Sequence, residues 1–403
     1  METPLALEGL KVLDFGWVVA VPTATKLLGS YGATVIKVES KNRLGLYRSY
    51  APYAGGIRGV NRGYAFAWYE SNKLGITLNL NHPRGIDICK KLVSWADIVV
   101  ENFTAGTMER WHLGYEELKR INPDIIMIQA SIQGQKGPYA QQSGLGTMMQ
   151  ASGGFTNLVG WPDRAPVQPS VPVPDFISAW YIVILTLAAM DHRYRTGEGT
   201  YIDLSQLEAG ITNLAPAILD YSANQRNISR TGNRAPDMAP YGVFRCKGDD
   251  RWCAITVTQD NEWESLCQVV GRLWIKDVKF ASMTRRKQNE DELEKLIEAW
   301  TIGFTPEELT GLLQSNGIPA GPVQNAHDLV KDPQLIHRRH FKSVEHPEMG
   351  TYANADFSFR LSDSTSRLTP SPCLGEHNQY VYQEILGISD EEFISLAQDG
   401  AFE

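Results

Sequence analysis

Short apolar runs separated by amphipathic stretches fill the first half of the chain. Residues 11–16, 34–39, 75–80, 97–102, 124–131 and 200–204 each read as a strand, because each is brief, rich in Val and Ile, and bounded by polar or turn-forming residues. Residues 23–31, 83–95, 106–121 and 205–221 carry a helical pattern between them. Pro22 and Pro83 suit helix starts, and Gly32 suits a stop. Strands alternating with helices predict a parallel sheet. The most apolar stretch, residues 176–190, is 15 residues long. That is shorter than the roughly 20 a bilayer span needs, so it reads as a core helix. Five prolines between Trp161 and Pro174 precede it. Proline donates no N–H and disfavours helix in the residue before it, so this stretch should be extended and stiff. One carboxylate, Asp175, stands where the stiff stretch meets the apolar run. Arg195-Thr196-Gly197 is a suitable helix end.

The pattern changes after residue 224. Residues 224–240 are polar and basic and contain Pro and Gly, as a linker does. Residues 242–257 resemble a hairpin with its turn at 247–250. Amphipathic helices follow up to Asn316, and Thr305-Pro306-Glu307-Glu308 is a capping box with proline at the first helical position. From Asp332-Pro333 onward come strands and a last helix capped by Ser389 with Glu392. The expected divisions are 1–224 for a large domain, 225–330 for a small α+β domain and 331–403 for a segment that returns to the large one. Residues 40–70, polar and rich in Gly and Tyr, are expected to form a long surface loop near a site.

Composition adds exclusions. A chain of 403 residues is long for one core. A net charge of −8 without a basic run gives nucleic acid nothing to hold. The five cysteines have no metal or redox spacing, and an odd count predicts free thiols in a reducing cytoplasm. The eight histidines are scattered, with no metal-binding spacing such as HExxH. Neither a nucleophile elbow nor a phosphate-binding Gly-rich loop is present, and the first turn, Gly16 to Pro22, lacks the dinucleotide fingerprint.

Asp175 is the best-placed candidate for chemistry, with two readings open. An Asp before a helix is most often a cap that accepts backbone N–H bonds. The same position favours the ionised carboxylate, the nucleophilic form, and Gly153-Gly154 could offer backbone N–H groups to an oxyanion. Lys73, Arg84 and Arg110 could meet phosphates, and Arg48, Arg58, Arg62 and Arg164 a substrate carboxylate; each is equally well an ordinary surface charge. Trp161 could line a pocket or simply pack.

The order of short motifs goes further. The opening LEGLKVLDFGWVVAVPTATKLLGSYGATVIKVE, residues 7–39, is followed by Ser71-Asn72-Lys73, Asp97 through Phe103, Ile121-Asn122-Pro123-Asp124 and Gly137-Pro138-Tyr139. Then come Gln150-Ala151-Ser152-Gly153, Gly160-Trp161-Pro162-Asp163, Asp175, and Arg195 through Gly199. Late in the chain stand Gly317 through Val323, Asp332-Pro333 and Leu374-Gly375-Glu376-His377. As an ordered set covering nearly the whole chain, this resembles the family III CoA-transferases, the formyl-CoA and carnitine CoA-transferase group.

The resemblance implies a large Rossmann-like domain with a parallel sheet, a smaller α+β domain, and two subunits interlocked as a homodimer or as a heterodimer with a related chain. It implies a cytoplasmic enzyme, apart from membranes, that moves CoA from an acyl-CoA to an organic acid, with no metal and no permanently bound cofactor. Asp175 matches the family's nucleophile. Val18, Val19, Ala20, Leu78, Asn102, Phe103 and Arg110 fall where CoA contacts align. The donor leaned to is succinyl-CoA and the acceptor an aromatic or dicarboxylic acid, as in the succinyl-CoA:benzylsuccinate type. The alternatives are an α-methylacyl-CoA racemase-like enzyme and a subunit of a hetero-oligomeric transferase. The racemases' His-Asp pair aligns with Leu145-Gly146, which cannot act as a base. Other departures are Ala20-Val21-Pro22 for the usual Ala-Gly-Pro, Ser40 at a usually basic position, and Ser143 at a lysine position.

Overall fold

The computed structural model describes residues 5–403. The described chain divides into two compact units. One holds the chain up to Thr156, Gln168–Arg226 and Gln334–Glu403; the other holds Asn157–Val167 and Asn227–Pro333. The segment 157–167, placed by sequence inside a continuous first domain, clusters instead with the small unit.

The large unit is built on six parallel strands: β1 (Lys11–Asp14), β2 (Thr34–Glu39), β3 (Leu74–Thr77), β4 (Ile98–Glu101), β5 (Ile126–Gln129) and β6 (Tyr201–Asp203). Their order, β3-β2-β1-β4-β5-β6, is that of doubly wound α/β sheets. The two-residue period of a strand sends neighbouring side chains to opposite faces. Leu13, Ile36, Val99 and Met127 therefore enter one core, with helix Pro83–Trp95 and the C-terminal residues Val381, Tyr382, Leu396 and Phe402. Val12, Val35, Ile98, Val100, Ile126 and Ile128 enter the other, with the first helix, Ala20–Ser30, and the long helix, Val173–Thr196. Both faces being covered is why these strands read as unbroken apolar runs.

The C-terminal segment is fastened to the β3 edge by polar contacts. The Asn378 side chain accepts from Thr77 N–H at 2.8 Å, Gly75 N–H donates to His377 Nδ1 at 3.1 Å, and Tyr382 O–H donates to the Thr77 carbonyl at 2.8 Å. The small unit has its own core, with Phe244, Ile255, Trp263, Leu293, Ile297 and Leu313. An antiparallel sheet of β7 (Tyr241–Arg245), β8 (Trp252–Thr256) and β9 (Ala320–Pro322) lies in it. Both bonds of the Thr305/Glu308 capping box are present. A separate hairpin, β10 (Phe341–His346) and β11 (Gly350–Ala355), belongs to the large unit.

Three expectations need correction. Residues 40–70 are not a plain surface loop. They contain a short 3-10 turn at Leu46–Ser49 and a helix at Tyr64–Tyr69, and Arg48 is only 1% exposed. Its guanidinium donates to both carboxylate oxygens of Glu39, at 2.8 and 2.6 Å, and lies 3.6 Å from the Phe66 ring centroid. Residues 106–121 form two helices, Thr107–Arg110 and Tyr115–Ile121. The long helix runs 24 residues, and an 18-residue window has mean hydropathy 1.7, so length and composition alone would let it cross a membrane. Its Ser178, Ala179, Ile182, Val183 and Ala189 are buried, and Ala179, Ile182, Val183 and Ala189 pack into the core beside the sheet. It stops as expected at Gly197, whose φ of +76° suits glycine and whose N–H reaches the Arg193 carbonyl at 2.7 Å.

Candidate active site

Parallel strands of such a sheet end together, and the loops after their C-terminal ends enclose a crevice. Here that crevice is a cavity of about 640 Å³ in the large unit, within the usual range for ligand pockets. Val18, Val19, Leu78, Asn102, Phe103, Arg110 and Asp175 all line it. Ala20 does not; it begins the first helix and is 1% exposed, facing the core.

The turn after β1 is held rigidly. Gly16 N–H donates to Asp14 Oδ1 at 2.6 Å, Lys37 Nζ donates to the Gly16 carbonyl, and the Asn102 amide spans Trp17, accepting from its N–H at 2.7 Å and donating to its carbonyl at 2.9 Å. Four bonds thus brace Val18, a β-branched residue at φ +68°, where such residues are strained. Beneath lies a buried charge cluster: Lys73 is 2.9 Å from Asp14, and Lys37 is 3.2 Å from Glu70. Burial alone would raise the Asp14 pKa, but Lys37 and Lys73 outweigh it and hold the carboxyl below its usual range. Lys73 is therefore committed to the core and out of reach of phosphates. Arg84 is likewise engaged, with Asp399 and Ser395. Among the cavity-lining residues the cations are Arg110 and Arg43, the latter 5.1 Å over the Trp17 ring. Ser40 and Ser143 also line it, adding hydroxyls where the family positions are basic.

Asp175 is not a cap. The helix starts at Val173 with Pro172 before it, so Asp175 is its third residue. Among the described residues its carboxylate has no hydrogen-bond or ion-pair partner. It is 8% exposed, and burial pushes its pKa up to about 7. The sequence suggested that the helix N-terminus would keep it ionised; desolvation wins, because no cation stands near enough to offset it. Gly146, which opens helix Gly146–Ser152, is packed against it: a Cβ there would fall 2.1 Å from Asp175 Oδ2. The Gly153 and Gly154 amides are already bonded to Met149 and Ala151 carbonyls, so they are not free for an oxyanion. Two of the four arginines offered to a substrate carboxylate are also engaged, and the other two, Arg58 and Arg164, are exposed. Arg48 is buried on Glu39, and Arg62 donates to the Glu348, Ala54 and Ile57 carbonyls.

Residues that pattern reading missed stand here too. Tyr47 and Tyr69 lie within electrostatic reach of Asp175, which helps raise both phenol pKa values after the larger effect of burial. The tyrosine-rich composition of 40–70 was their only signal. Gln206, 2% exposed, lines the cavity with a buried Oε1 lacking a partner. Trp161 lies in the small unit, in a second cavity of about 570 Å³ with Trp252 and Arg234.

Residues 7–378 match the model of CoA-transferase family III. The succinyl-CoA–D-citramalate CoA-transferase of Chloroflexus aurantiacus is 32% identical over 397 residues, covering 98% of this chain and 97% of that one. The formyl-CoA:oxalate CoA-transferase of a Bradyrhizobium species is 30% identical, covering 99% and 97%. A solved structure of a CAIB/BAIF family protein from Brucella suis superposes with a TM-score of 0.85 at 31% identity, covering 95% of this chain and 100% of that one. The chain belongs to CoA-transferase family III and is an enzyme that transfers coenzyme A.

Proposed function

We propose that the enzyme moves CoA from succinyl-CoA to a dicarboxylic or aromatic acid through covalent intermediates on Asp175. One observation carries this: a buried carboxylate without a partner among the described residues, in the same cavity as all the aligned CoA positions but Ala20. Asp175 attacks the thioester carbonyl; the C–S bond breaks, giving a mixed anhydride and CoA thiolate. The thiolate attacks the aspartyl carbonyl, releasing the donor acid and leaving an aspartyl-CoA thioester. The acceptor carboxylate attacks that thioester, freeing the thiolate and forming a second anhydride. Attack of the thiolate on its acyl carbon yields the new acyl-CoA and restores Asp175. A single carboxylate suffices as nucleophile and carrier, so a permanently bound cofactor has no step to serve.

Val18, Val19, Leu78, Asn102 and Phe103 are assigned to CoA, with Arg110 and Arg43 as phosphate partners, since a guanidinium fork suits phosphate oxygens. Relatives named for succinyl-CoA with citramalate, malate and glutarate support the donor. Two subunits are expected to pair, either identical or related. Relatives named as alpha and beta subunits support the second form, and an exposed apolar face on the long helix supports both. The five free cysteines fit a cytoplasmic setting. The test is a panel of acids offered with succinyl-CoA, with mass spectrometry of the CoA products. New thioesters with release of succinate support the reading. α-Proton exchange without transfer would replace it with racemisation.

A further inference from the structure

Two tyrosines within electrostatic reach of Asp175, Tyr47 and Tyr69, carry unused hydrogen-bond donors. The Tyr47 and Tyr69 rings stack with centroids 5.3 Å apart and planes at 19°. Tyr47 also meets Tyr50 edge-on at 6.3 Å, and Tyr69 lies 6.4 Å from Phe176, which directly follows Asp175. Tyr47 lines a narrow recess with Trp17, Val18 and Arg43, and those three residues also line the cavity that holds Asp175. The rings are thus committed to each other and to their neighbours. Among the described residues, neither hydroxyl has a hydrogen-bond partner. Both side chains are half-buried, and with no partner in the fold their hydroxyls are open to something that binds.

We propose that Tyr47 and Tyr69 select the acid, donating their hydroxyls to an oxygen that the acyl chain carries beyond its reacting carboxyl. The inference rests on the Asp175 reading above and narrows it to oxygen-bearing acids, dicarboxylic or hydroxy acids, in preference to purely aryl ones. Two features favour this. Arg48 and Arg62, which could have met a distal carboxylate, are bonded within the fold. Burial and Asp175 both hold the phenols protonated, so they donate at any physiological pH. Neutral donors also suit a second carboxylate held close to Asp175, because they supply hydrogen bonds without a cation's pull on the nucleophile.

The test compares glutarate with pentanoate, which has the same carbon count and no distal oxygen, as acceptors from succinyl-CoA. The wild-type enzyme should favour glutarate in kcat/KM. Tyr47→Phe and Tyr69→Phe should each lower the glutarate-to-pentanoate ratio about tenfold or more. That ratio does not depend on how much of a variant folds. A ratio that both variants leave intact overturns the inference, as does a wild-type preference for pentanoate or 3-phenylpropanoate. A wild-type enzyme that transfers CoA to no acid removes the Asp175 reading itself.

Discussion

Asp175 and Gly146 form one local device. The carboxylate is buried and, among the described residues, unpaired, and the missing side chain of the glycine beside it leaves room for Oδ2. Gly146→Ala would place a methyl 2.1 Å from Oδ2, so the carboxylate must move. A displacement of about 1 Å costs on the order of 10²-fold in rate. Transfer by Gly146→Ala should fall by at least that factor in a steady-state assay. The raised pKa of Asp175 predicts a pH effect as well. Below about 7 the folded protein holds the neutral acid, a poor nucleophile; above it the carboxylate forms. The rate of the first acyl transfer, followed by rapid quench, should rise with pH and level off above 7. A rate already constant from pH 5 would contradict this. The position of Asp175 was legible in the sequence, but its charge state was not. Sequence shows a helix start close by; it does not show that Arg48 and Lys73 are bonded to buried carboxylates elsewhere.

Strands and helices were read best where burial decides the pattern. The six strands of the large unit stand where short Val/Ile runs put them, because burial on both sheet faces leaves little choice. The long helix was seen, yet three residues late, since Val173, Pro174 and Asp175 read as preceding it although proline is well suited to the first turn. Residues 40–70 were misread because their order comes from a distant partner. Arg48 gains Glu39 of β2, the Phe66 ring and the Pro372 carbonyl only when the chain is folded. Removing one member of a buried pair leaves the other charge uncompensated, typically at about 3–5 kcal/mol. Arg48→Met should lower the unfolding free energy by that amount in a denaturant titration. A loss under about 1 kcal/mol would show the pair to be dispensable.

Each unit has a core of its own, and β3 gains its outer partner only when the last seventy residues return. The histidine of the late Leu374-Gly375-Glu376-His377 motif takes part in that fastening, accepting from Gly75 N–H. The outer face of the long helix is different in kind. Trp180, Ile184 and Leu187 are 42%, 61% and 45% exposed, an apolar stripe of the sort a second subunit covers. If two subunits pair as proposed, Ile184→Glu should shift them toward monomer in sedimentation velocity; a variant that stays paired would place the interface elsewhere. The central claim is that Asp175 carries the acyl group and CoA in turn. Its most direct measurement is incubation of the enzyme with succinyl-CoA and hydroxylamine, followed by peptide mass spectrometry. A hydroxamate is expected on Asp175, absent in Asp175→Ala, which should also have lost transfer. Full turnover by Asp175→Ala, or a hydroxamate on another residue, would contradict it.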